Sequence, residues 1–190
     1  MNQDNVLDLM TELGALQRGH FLLSSGLHSD TYFQCARVLQ YPELARELGA
    51  AIAAHFPGET YDVVVSPALG GVLIGHEVAR ALGRRFVFTE RKDGAMQLRR
   101  GFALEKGERA LVVEDVVTRG TSVGEVVAVV EDHGASVAGL GSIVDRTAAG
   151  AVLPCPLQAL ARVEVATWQP DACPLCADGL AVTRPGSRGN

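Results

Sequence analysis

The sequence has few aromatic residues, few cysteines and no long hydrophobic run. Aromatic side chains make up 5% of the 190 residues, and there are four cysteines. Apolar runs such as residues 110–113 and 126–130 fall far short of the roughly 20 residues that span a bilayer. Four cysteines in a chain of this length do not form the dense pattern of a secreted disulfide scaffold. We therefore expect reduced thiols and no membrane span.

Positively charged residues are also few. The chain has 17 Lys and Arg against 22 Asp and Glu, a formal net charge of -5. Nucleic acid and anionic membrane attract proteins through positive surface, so neither is expected as a partner. Residues 1–13 lack a basic start followed by an apolar run, which is the pattern of a secretory signal. A cytoplasmic location is therefore the expectation.

Runs rich in Val and Ile alternate with amphipathic patterns along most of the chain. The length and the 47% hydrophobic content predict one domain over residues 1–190. Strands are predicted at residues 62–66, 86–89, 110–114, 137–144 and 159–165, and helices at 42–55, 71–82 and 122–133. This alternation predicts an α/β fold with a mostly parallel central sheet flanked by helices. Ligands should bind at the carboxyl edge of its strands.

Two segments lie outside this alternation. Residues 1–35, called the hood below, carry a helical pattern at 5–13 and a stretch punctuated by Gly and Ser, and are expected to cap the sheet edge. Residues 168–190, called the tail below, are rich in Pro, Gly and Cys and are predicted to be irregular.

The tail contains a CxxC pair, Cys173 and Cys176. A zinc site would need two further ligands, and Cys35, Cys155 and the histidines are scattered along the chain. The histidines show no ligand spacing, and we expect surface or capping roles for all five: His20, His28, His55, His76 and His133. No zinc site is predicted.

The most informative segment is ALVVEDVVTRGTS, residues 110–122. A buried strand brings Glu114 and Asp115 to the sheet edge, and a short loop leads into a helix for which Ser122 and Glu125 fit a capping box. Amides and hydroxyls of this loop form a nest for phosphate at a helix N-terminus. Phosphate donors beside carboxylates suit a phosphorylated sugar. A strand, turn and capped helix without any ligand is the alternative.

A second strand-to-helix turn, VVVSPALGGVLIG at residues 63–75, repeats the anion-binding pattern. Its loop, formed by Ala68, Leu69, Gly70 and Gly71, can bring backbone amides close to a ligand. The two glycines permit dihedral angles that a side chain would forbid. Two anion sites on one sheet edge indicate a ligand with phosphate at both ends. Tight helix packing alone is the alternative here.

The 110–122 segment resembles the signature of the type I phosphoribosyltransferases, although Arg119 and Thr121 stand where small residues are common. The resemblance implies that Glu114 and Asp115 hold the ribose hydroxyls of 5-phosphoribosyl 1-diphosphate and that residues 68–71 meet its diphosphate. It implies that the 5-phosphate is bound along Val116, Val117, Thr118, Arg119, Gly120, Thr121 and Ser122. It further implies magnesium carried in by the substrate, reaching Glu114 or Asp115 only through water.

The segment GHFLLSSGLHSDTYF, residues 19–33, resembles the GxFxLxSGxxSxxY pattern of orotate phosphoribosyltransferases. The resemblance implies an orotate site near Tyr32, Phe33 and Thr118, with Ser24 where many members have a lysine. Arg146 follows the 137–144 strand, at the position from which these enzymes send an arginine to the orotate carboxylate. A purine-base transferase, a non-catalytic sensor of the same diphosphate, and a simple pairing of Arg146 with Asp145 remain alternatives.

The polar segment TERKDGAMQLRRGF, residues 89–102, is predicted to be a mobile flap. In the resembled family a basic loop here closes over the diphosphate, commonly in the neighbouring subunit, which implies a homodimer. Arg91 and Lys92 match the start of that loop and, with Asp115, are the predicted catalytic residues. The later lysine and histidine of the family find no match, and Arg99 or Arg100 could substitute. A solvated hairpin is the alternative.

Overall fold

The elements below come from a computed structural model, which describes residues 1–56, 61–148 and 151–185. In chain order they are α1 (Gln3–Glu12), β1 (Leu16–Leu22), β2 (His28–Phe33), α2 (Ala36–Leu39), α3 (Pro42–Ala53), β3 (Val63–Pro67), α4 (Gly71–Leu82), β4 (Arg85–Lys92), β5 (Ala95–Leu98), β6 (Arg109–Val117), α5 (Thr121–Asp132), β7 (Ser136–Asp145), β8 (Leu157–Arg162), β9 (Thr167–Trp168), a 3-10 helix (Pro170–Ala172) and α6 (Pro174–Ala177).

The central sheet has six strands in the order β5-β4-β3-β6-β7-β8. All neighbours are parallel except β5, which runs antiparallel to β4. The predicted α/β fold with a mostly parallel sheet is confirmed. Each of the five predicted strands corresponds to a strand of this sheet, and the three predicted helices correspond to α3, α4 and α5.

Helices cover both faces of the sheet. Successive β3 residues point to opposite faces, as the twofold period of a strand requires: Val64 joins the core beneath α3 and α4, while Val63 and Val65 join the core beneath α5. All three are fully buried. A parallel sheet covered on both faces explains why its strands read as nearly continuous apolar runs.

The crossovers leave β3 and β6 in opposite directions. From β3 the chain passes through α4 to β4, and from β6 it passes through α5 to β7 on the other side. Because β3 and β6 are neighbours, the connections diverge between them and open a crevice at the carboxyl edge of the sheet. The two predicted anion-binding loops both begin at this crevice.

The hood forms a second, three-stranded sheet with the tail. Strands β1 and β2 make an antiparallel hairpin, and β9 pairs with β2. Beyond β9, the Leu22 amide donates to the Thr183 carbonyl (2.9 Å) and the Thr183 amide donates to the His20 carbonyl (2.8 Å). The tail, predicted to be irregular, thus contains two short helices and folds back onto the hood. Its residues 186–190 lie outside the described residues.

The predicted flap is a hairpin that extends the sheet. Strands β4 and β5 pair directly, and their turn has positive φ angles at Asp93 (53°) and Gly94 (85°), as a type I′ turn requires. Arg100 donates two hydrogen bonds to Glu90, at 2.7 and 2.8 Å. Arg100 is therefore occupied within its own hairpin. None of the helices in the described ranges is long and apolar enough to cross a bilayer.

Helices α3 and α4 cross in close contact at Gly49, and this position supplies a test of the packing. A Cβ atom there would lie 2.6 Å from Glu77 Cβ and 2.8 Å from the Glu77 carbonyl carbon, which is backbone and cannot move away cheaply. Gly49→Ala should therefore lower the free energy of unfolding by about 1–3 kcal/mol, measured by urea denaturation. The matched control is Gly124→Ala in α5, where a Cβ meets nothing within 4 Å. Equal effects of the two substitutions would refute the close contact.

Candidate active site

A polar cavity of about 170 Å³ opens where β6 ends and α5 begins. Helix α5 starts at Thr121 without any side-chain cap, and the first amides of a helix have no partner within it. The cavity is lined by Ser24, Glu114, Val116, Val117, Thr118, Arg119, Gly120, Thr121, Ser122 and Val123. An uncapped helix N-terminus with three hydroxyls around it is suited to bind phosphate.

The predicted capping box at the start of α5 is wrong. The N-cap is Gly120, and the Glu125 carboxylate forms an ion pair with Arg91 instead of reaching back to the helix start. Gly120 has a φ of 74°, and a Cβ atom there would lie 2.5 Å from Leu153 Cδ2. Both observations call for glycine at this position. The helix amides therefore remain available to a ligand.

The two acids lie side by side at the end of β6. Glu114 Oε1 accepts a hydrogen bond from the Asp115 amide (3.2 Å), and Asp115 Oδ1 accepts one from the Val116 amide (2.9 Å). Burial raises the pKa of Glu114 well above its usual value, and the neighbouring charge of Asp115 raises it further. Burial also raises the pKa of Asp115. Two carboxylates withheld from water in this way favour a cation or hydroxyl donors as their ligands.

Cys35 lies beneath the acid pair and was not predicted as a site residue. Its thiol is buried, and burial together with the negative charges of Asp115 and Glu114 raises its pKa well above the usual value. A neutral thiol at this point covers the inner side of the acids without adding charge. No local sequence signal marks Cys35, because its contact with residues 114 and 115 depends on the fold.

The second loop packs its backbone against the same acids. A Cβ atom on Gly70 would lie 2.8 Å from Asp115 Oδ1, and one on Gly71 would lie 3.0 Å from Glu114 Oε1. Gly70 has ordinary helical angles (φ -55°, ψ -44°), so the prediction that it needs special dihedral angles is wrong. Glycine is needed there for close approach. The Ala68–Leu69 peptide is cis, and the Ala68 amide donates to the Thr89 carbonyl at 2.7 Å.

Arg146 adjoins two hood aromatics and Val117, a residue that lines the cavity. The Arg146 amide donates to the Val117 carbonyl (2.8 Å), and its guanidinium carbon lies 5.3 Å from the centre of the Phe33 ring. Its Nε atom is buried and has no hydrogen-bond partner among the described residues. Burial lowers the pKa of Arg146, while burial and the charge of Asp115 raise the pKa of Tyr32. A half-buried guanidinium whose buried Nε has no partner among the described residues is suited to an anionic ligand group.

The alternative in which Arg146 merely pairs with Asp145 finds no support in the described ranges. The Asp145 carboxylate accepts from the Thr147 amide (2.8 Å) and lies 3.8 Å from Arg162.

The structure does not bring the predicted flap cations into the cavity. Arg91 donates to Glu125 (3.0 Å) and to the Gly94 carbonyl (2.8 Å), and the exposed Lys92 is not among the residues that line the cavity. Ser24 does line it, so the turn of the hood reaches the loop between β6 and α5. The two loops, the acids and the hood therefore meet within one subunit, whereas the hairpin cations lie apart.

Two histidines also differ from expectation. His20 and His28 are buried, at 5% and 7% exposure, so the prediction of surface or capping roles is wrong for both. They lie beside Cys173 and Cys176, away from the residues that line the cavity.

Comparison with known proteins identifies the family. The family model of the phosphoribosyl transferase domain matches residues 35–154. Over 188 residues the chain is 49% identical to the orotate phosphoribosyltransferase of Desulforamulus reducens, covering 99% of this chain and 98% of that protein. The chain belongs to the orotate phosphoribosyltransferase family.

Solved structures agree with this family assignment. The crystal structure of orotate phosphoribosyltransferase from Aeropyrum pernix is 26% identical, covers 83% of this chain and 93% of that one, and superposes with a TM-score of 0.69. Adenine phosphoribosyltransferase from Thermoanaerobacter pseudethanolicus has a TM-score of 0.60 at 17% identity, covering 70% of this chain and 88% of that one. An identity of 17% shows only a shared fold, so the acceptor base has to be inferred from the residues of the site.

The raised pKa of Glu114 predicts in which direction the stability of the protein changes with pH. Because the folded state raises the pKa of Glu114, the folded protein binds more protons than the unfolded chain above the ordinary carboxyl pKa, and it loses stability as pH rises through that window. Glu114→Gln should raise the melting temperature of the ligand-free protein at pH 8 by about 3 °C or more. The gain should shrink near pH 4.5.

The control is Glu131→Gln on the exposed side of α5. A Glu114→Gln variant that melts below the wild type at pH 8, or whose gain does not depend on pH, would contradict the burial of a strained acid pair.

Proposed function

We propose that this chain transfers the 5-phosphoribosyl group from 5-phosphoribosyl 1-diphosphate to orotate, giving orotidine 5-phosphate and diphosphate in pyrimidine synthesis. One observation supports the proposal: a polar cavity at the uncapped start of α5, the adjacent acid pair, and Arg146 with its buried Nε adjoin one another. Phosphate, diol and carboxylate are the groups that these three features suit. All three groups occur in this reaction.

The phosphoribosyl group would bind at the end of β6. In this proposal the 5-phosphate accepts hydrogen bonds from the amides and hydroxyls of residues 118–122, where α5 begins without a cap. Glu114 and Asp115 accept hydrogen bonds from the ribose hydroxyls. Their burial supports this role, because an ordered diol supplies donors that excluded water cannot.

The diphosphate would lie along residues 68–71, whose backbone contacts the acids. Magnesium fits this place, because it prefers oxygen ligands and two crowded carboxylates are stabilised by a nearby cation. Bound with the diphosphate, Mg²⁺ would neutralise charge on the leaving group. The acids would contact it through water, with no direct protein ligand.

Orotate would bind between the hood and Arg146. The buried Nε of Arg146 supports a bidentate contact to the orotate carboxylate, and Tyr32 and Phe33 offer a flat apolar wall. Thr118 and Ser24 lie at the mouth of the phosphate-binding loop and complete this side. Ser24 cannot supply the charge of the lysine usual at this position, so Arg146 would carry more of the recognition.

The mechanism needs no protein nucleophile. The bond from the ribose anomeric carbon to the diphosphate oxygen breaks as the orotate ring nitrogen forms the new bond to that carbon, and the proton of that nitrogen passes to the departing diphosphate or to solvent. The chain's residues hold the two reactants in line, neutralise the departing charge and exclude water from the developing oxocarbenium centre. A site built of amides, acids and arginines, without a nucleophile and base pair, is consistent with this chemistry.

The hairpin cations would act on the neighbouring subunit's site. Arg91 and Lys92 do not line the cavity of their own subunit, yet the leaving diphosphate needs positive charge. A homodimer in which the β4–β5 hairpin reaches across would supply it. Arg100 is bound to Glu90, which leaves Arg99 as the hairpin's other candidate.

The alternatives are less well supported. A purine base has no carboxylate for the buried Nε of Arg146, although adenine phosphoribosyltransferase shares the fold. A non-catalytic sensor that acts on nucleic acid would need a basic surface, and the chain has a net charge of -5.

Substrate choice tests the proposal directly. The purified protein with magnesium and 5-phosphoribosyl 1-diphosphate should consume orotate and leave adenine, hypoxanthine and xanthine unchanged. Arg146→Gln should raise KM for orotate about 10–100-fold, because a charge-assisted contact contributes roughly 1.5–3 kcal/mol. KM for the diphosphate substrate should change far less.

The matched control is Arg162→Gln, at the end of the neighbouring strand. Faster turnover of a purine base would favour the purine transferase, and no turnover of any base would favour the sensor. Equal KM effects on both substrates would remove Arg146 from the base site.

Action across subunits has its own test. Asp115→Asn and Lys92→Ala should each reduce turnover by orders of magnitude as pure proteins. If the hairpin acts in trans, refolding equal amounts together should restore about a quarter of wild-type activity, because half the dimers are hybrids with one intact site. Hybrids that stay inactive would place Lys92 in its own subunit's site, and a pure Lys92→Ala protein with wild-type turnover would place it outside catalysis. Arg100→Ala, which removes a hairpin cation already bound to Glu90, is the control for loss of hairpin charge.

A further inference from the structure

Four metal-ligating side chains from distant parts of the chain converge beside the hood. His20 lies in β1, His28 begins β2, Cys173 is the N-cap of α6 and Cys176 lies within that helix. One nitrogen or sulfur atom from each lies within 4.8 Å of all the others. His20, His28 and Cys173 are buried, and Cys176 is exposed.

The spacing of these atoms is close to that of a tetrahedral zinc site. Zn–S bonds of about 2.3 Å and Zn–N bonds of about 2.0–2.1 Å place tetrahedral ligand atoms roughly 3.3–3.8 Å apart. Sγ of Cys176 lies 3.3 Å from His28 Nδ1 and 3.7 Å from His20 Nε2, and Sγ of Cys173 lies 3.6 Å from His20 Nε2. The two histidine nitrogens, 2.8 Å apart, would have to separate slightly.

A backbone contact prepares His20 for this role. Its Nδ1–H donates to the Leu180 carbonyl at 2.8 Å, which leaves Nε2 without a proton and directed at the other three ligand atoms. Metal-bound histidines in proteins are usually held by such a second hydrogen bond. The carbonyl belongs to the tail, so the tail supplies both the cysteines and the orientation of His20.

We propose that His20, His28, Cys173 and Cys176 bind one structural Zn²⁺ that fastens the tail to the hood. Two thiolates and two imidazoles in tetrahedral spacing select zinc among the common metals, and four protein ligands leave no open position for catalysis. The thiols lose their protons to solvent as the ion binds.

The zinc site would stabilise the side of the molecule on which the base is proposed to bind. His20 and His28 flank the turn of the β1–β2 hairpin, and Ser24 in that turn lines the cavity. The described hydrogen bonds that join this region to the tail include the short β9 pairing, two bonds between Thr183 and β1, and the bond from His20 to Leu180. A metal would supply the cross-link that so small a sheet lacks.

The competing structure is a metal-free network. The two histidines can share one hydrogen bond, and the four cysteines are free thiols, with no disulfide between Cys173 and Cys176. In that case the cluster would have only ordinary affinity for divalent metals.

Metal titration of the intact, reduced and chelator-stripped protein distinguishes the two. With Co²⁺ as the probe we expect one equivalent bound, with the intense visible bands of a tetrahedral thiolate site and a sulfur-to-metal band in the near ultraviolet. Zn²⁺ should displace Co²⁺ stoichiometrically. Cys173→Ser and Cys176→Ser should each weaken zinc binding at least 100-fold, whereas Cys155→Ser, outside the cluster, should bind as the wild type does. Octahedral cobalt spectra, or no binding by the folded wild type, would overturn the proposal.

Hydrogen exchange provides a second readout that requires no variant to fold. Removing zinc should speed exchange of the Leu22 and Thr183 amides about tenfold or more, because these two form the hydrogen-bonded link between hood and tail. Core amides such as that of Val112 should exchange at their original rate. Unchanged exchange at Leu22 and Thr183 after complete zinc removal would show that no metal fastens the tail.

Discussion

The site depends on one contact, the packing of two adjacent carboxylates against the backbone of two glycines, Gly70 and Gly71. Glu114 and Asp115 are withheld from water at the end of β6, and Gly70 and Gly71 approach them so closely that even a methyl group would not fit. The arrangement costs the free protein stability, since two like charges share a dry site. Evolution retains such a loss of stability where the binding of a ligand offsets it.

The topology explains why this contact can exist. Because the connections from β3 and β6 diverge, the two loops that follow these strands face one crevice with no helix crossing above it. One loop opens into α4 and the other into α5, so two helix N-termini and two acids share the same edge. The next strand, β7, delivers Arg146 to the same edge, and the hood closes it from outside.

The hood is joined to the tail through a small sheet. Its β1–β2 hairpin pairs with the two-residue strand β9, and two hydrogen bonds link it to Thr183. Precise placement of Ser24, Tyr32 and Phe33 therefore depends on what holds the hairpin in position. A cross-link between the hairpin and the tail would fix the positions of these three side chains.

Local sequence patterns predicted the helices and strands that they determine. They did not predict contacts between residues that are far apart in the chain. Apolar runs and helix-start residues located five of the six sheet strands and α3 to α5, but not β5, and both loop motifs lie at the carboxyl edge of the sheet. The capping box at Ser122 failed because Arg91, some 30 residues away, takes Glu125. The sequence pattern attributed Gly70 to backbone dihedral angles, whereas the structure shows that a Cβ atom there would contact Asp115. The pairing of His20 and His28 with the CxxC pair was invisible because roughly 150 residues separate the two halves, and the hairpin that joins the histidines was not predicted.

The most direct measurement is a crystal structure of the protein with orotidine 5-phosphate. The account predicts the phosphate within hydrogen-bond distance of the amides of residues 118–122, the ribose hydroxyls on Glu114 and Asp115, and the base carboxylate on the guanidinium of Arg146. A nucleotide bound elsewhere, or one whose ribose leaves both acids without a hydroxyl partner, would contradict it.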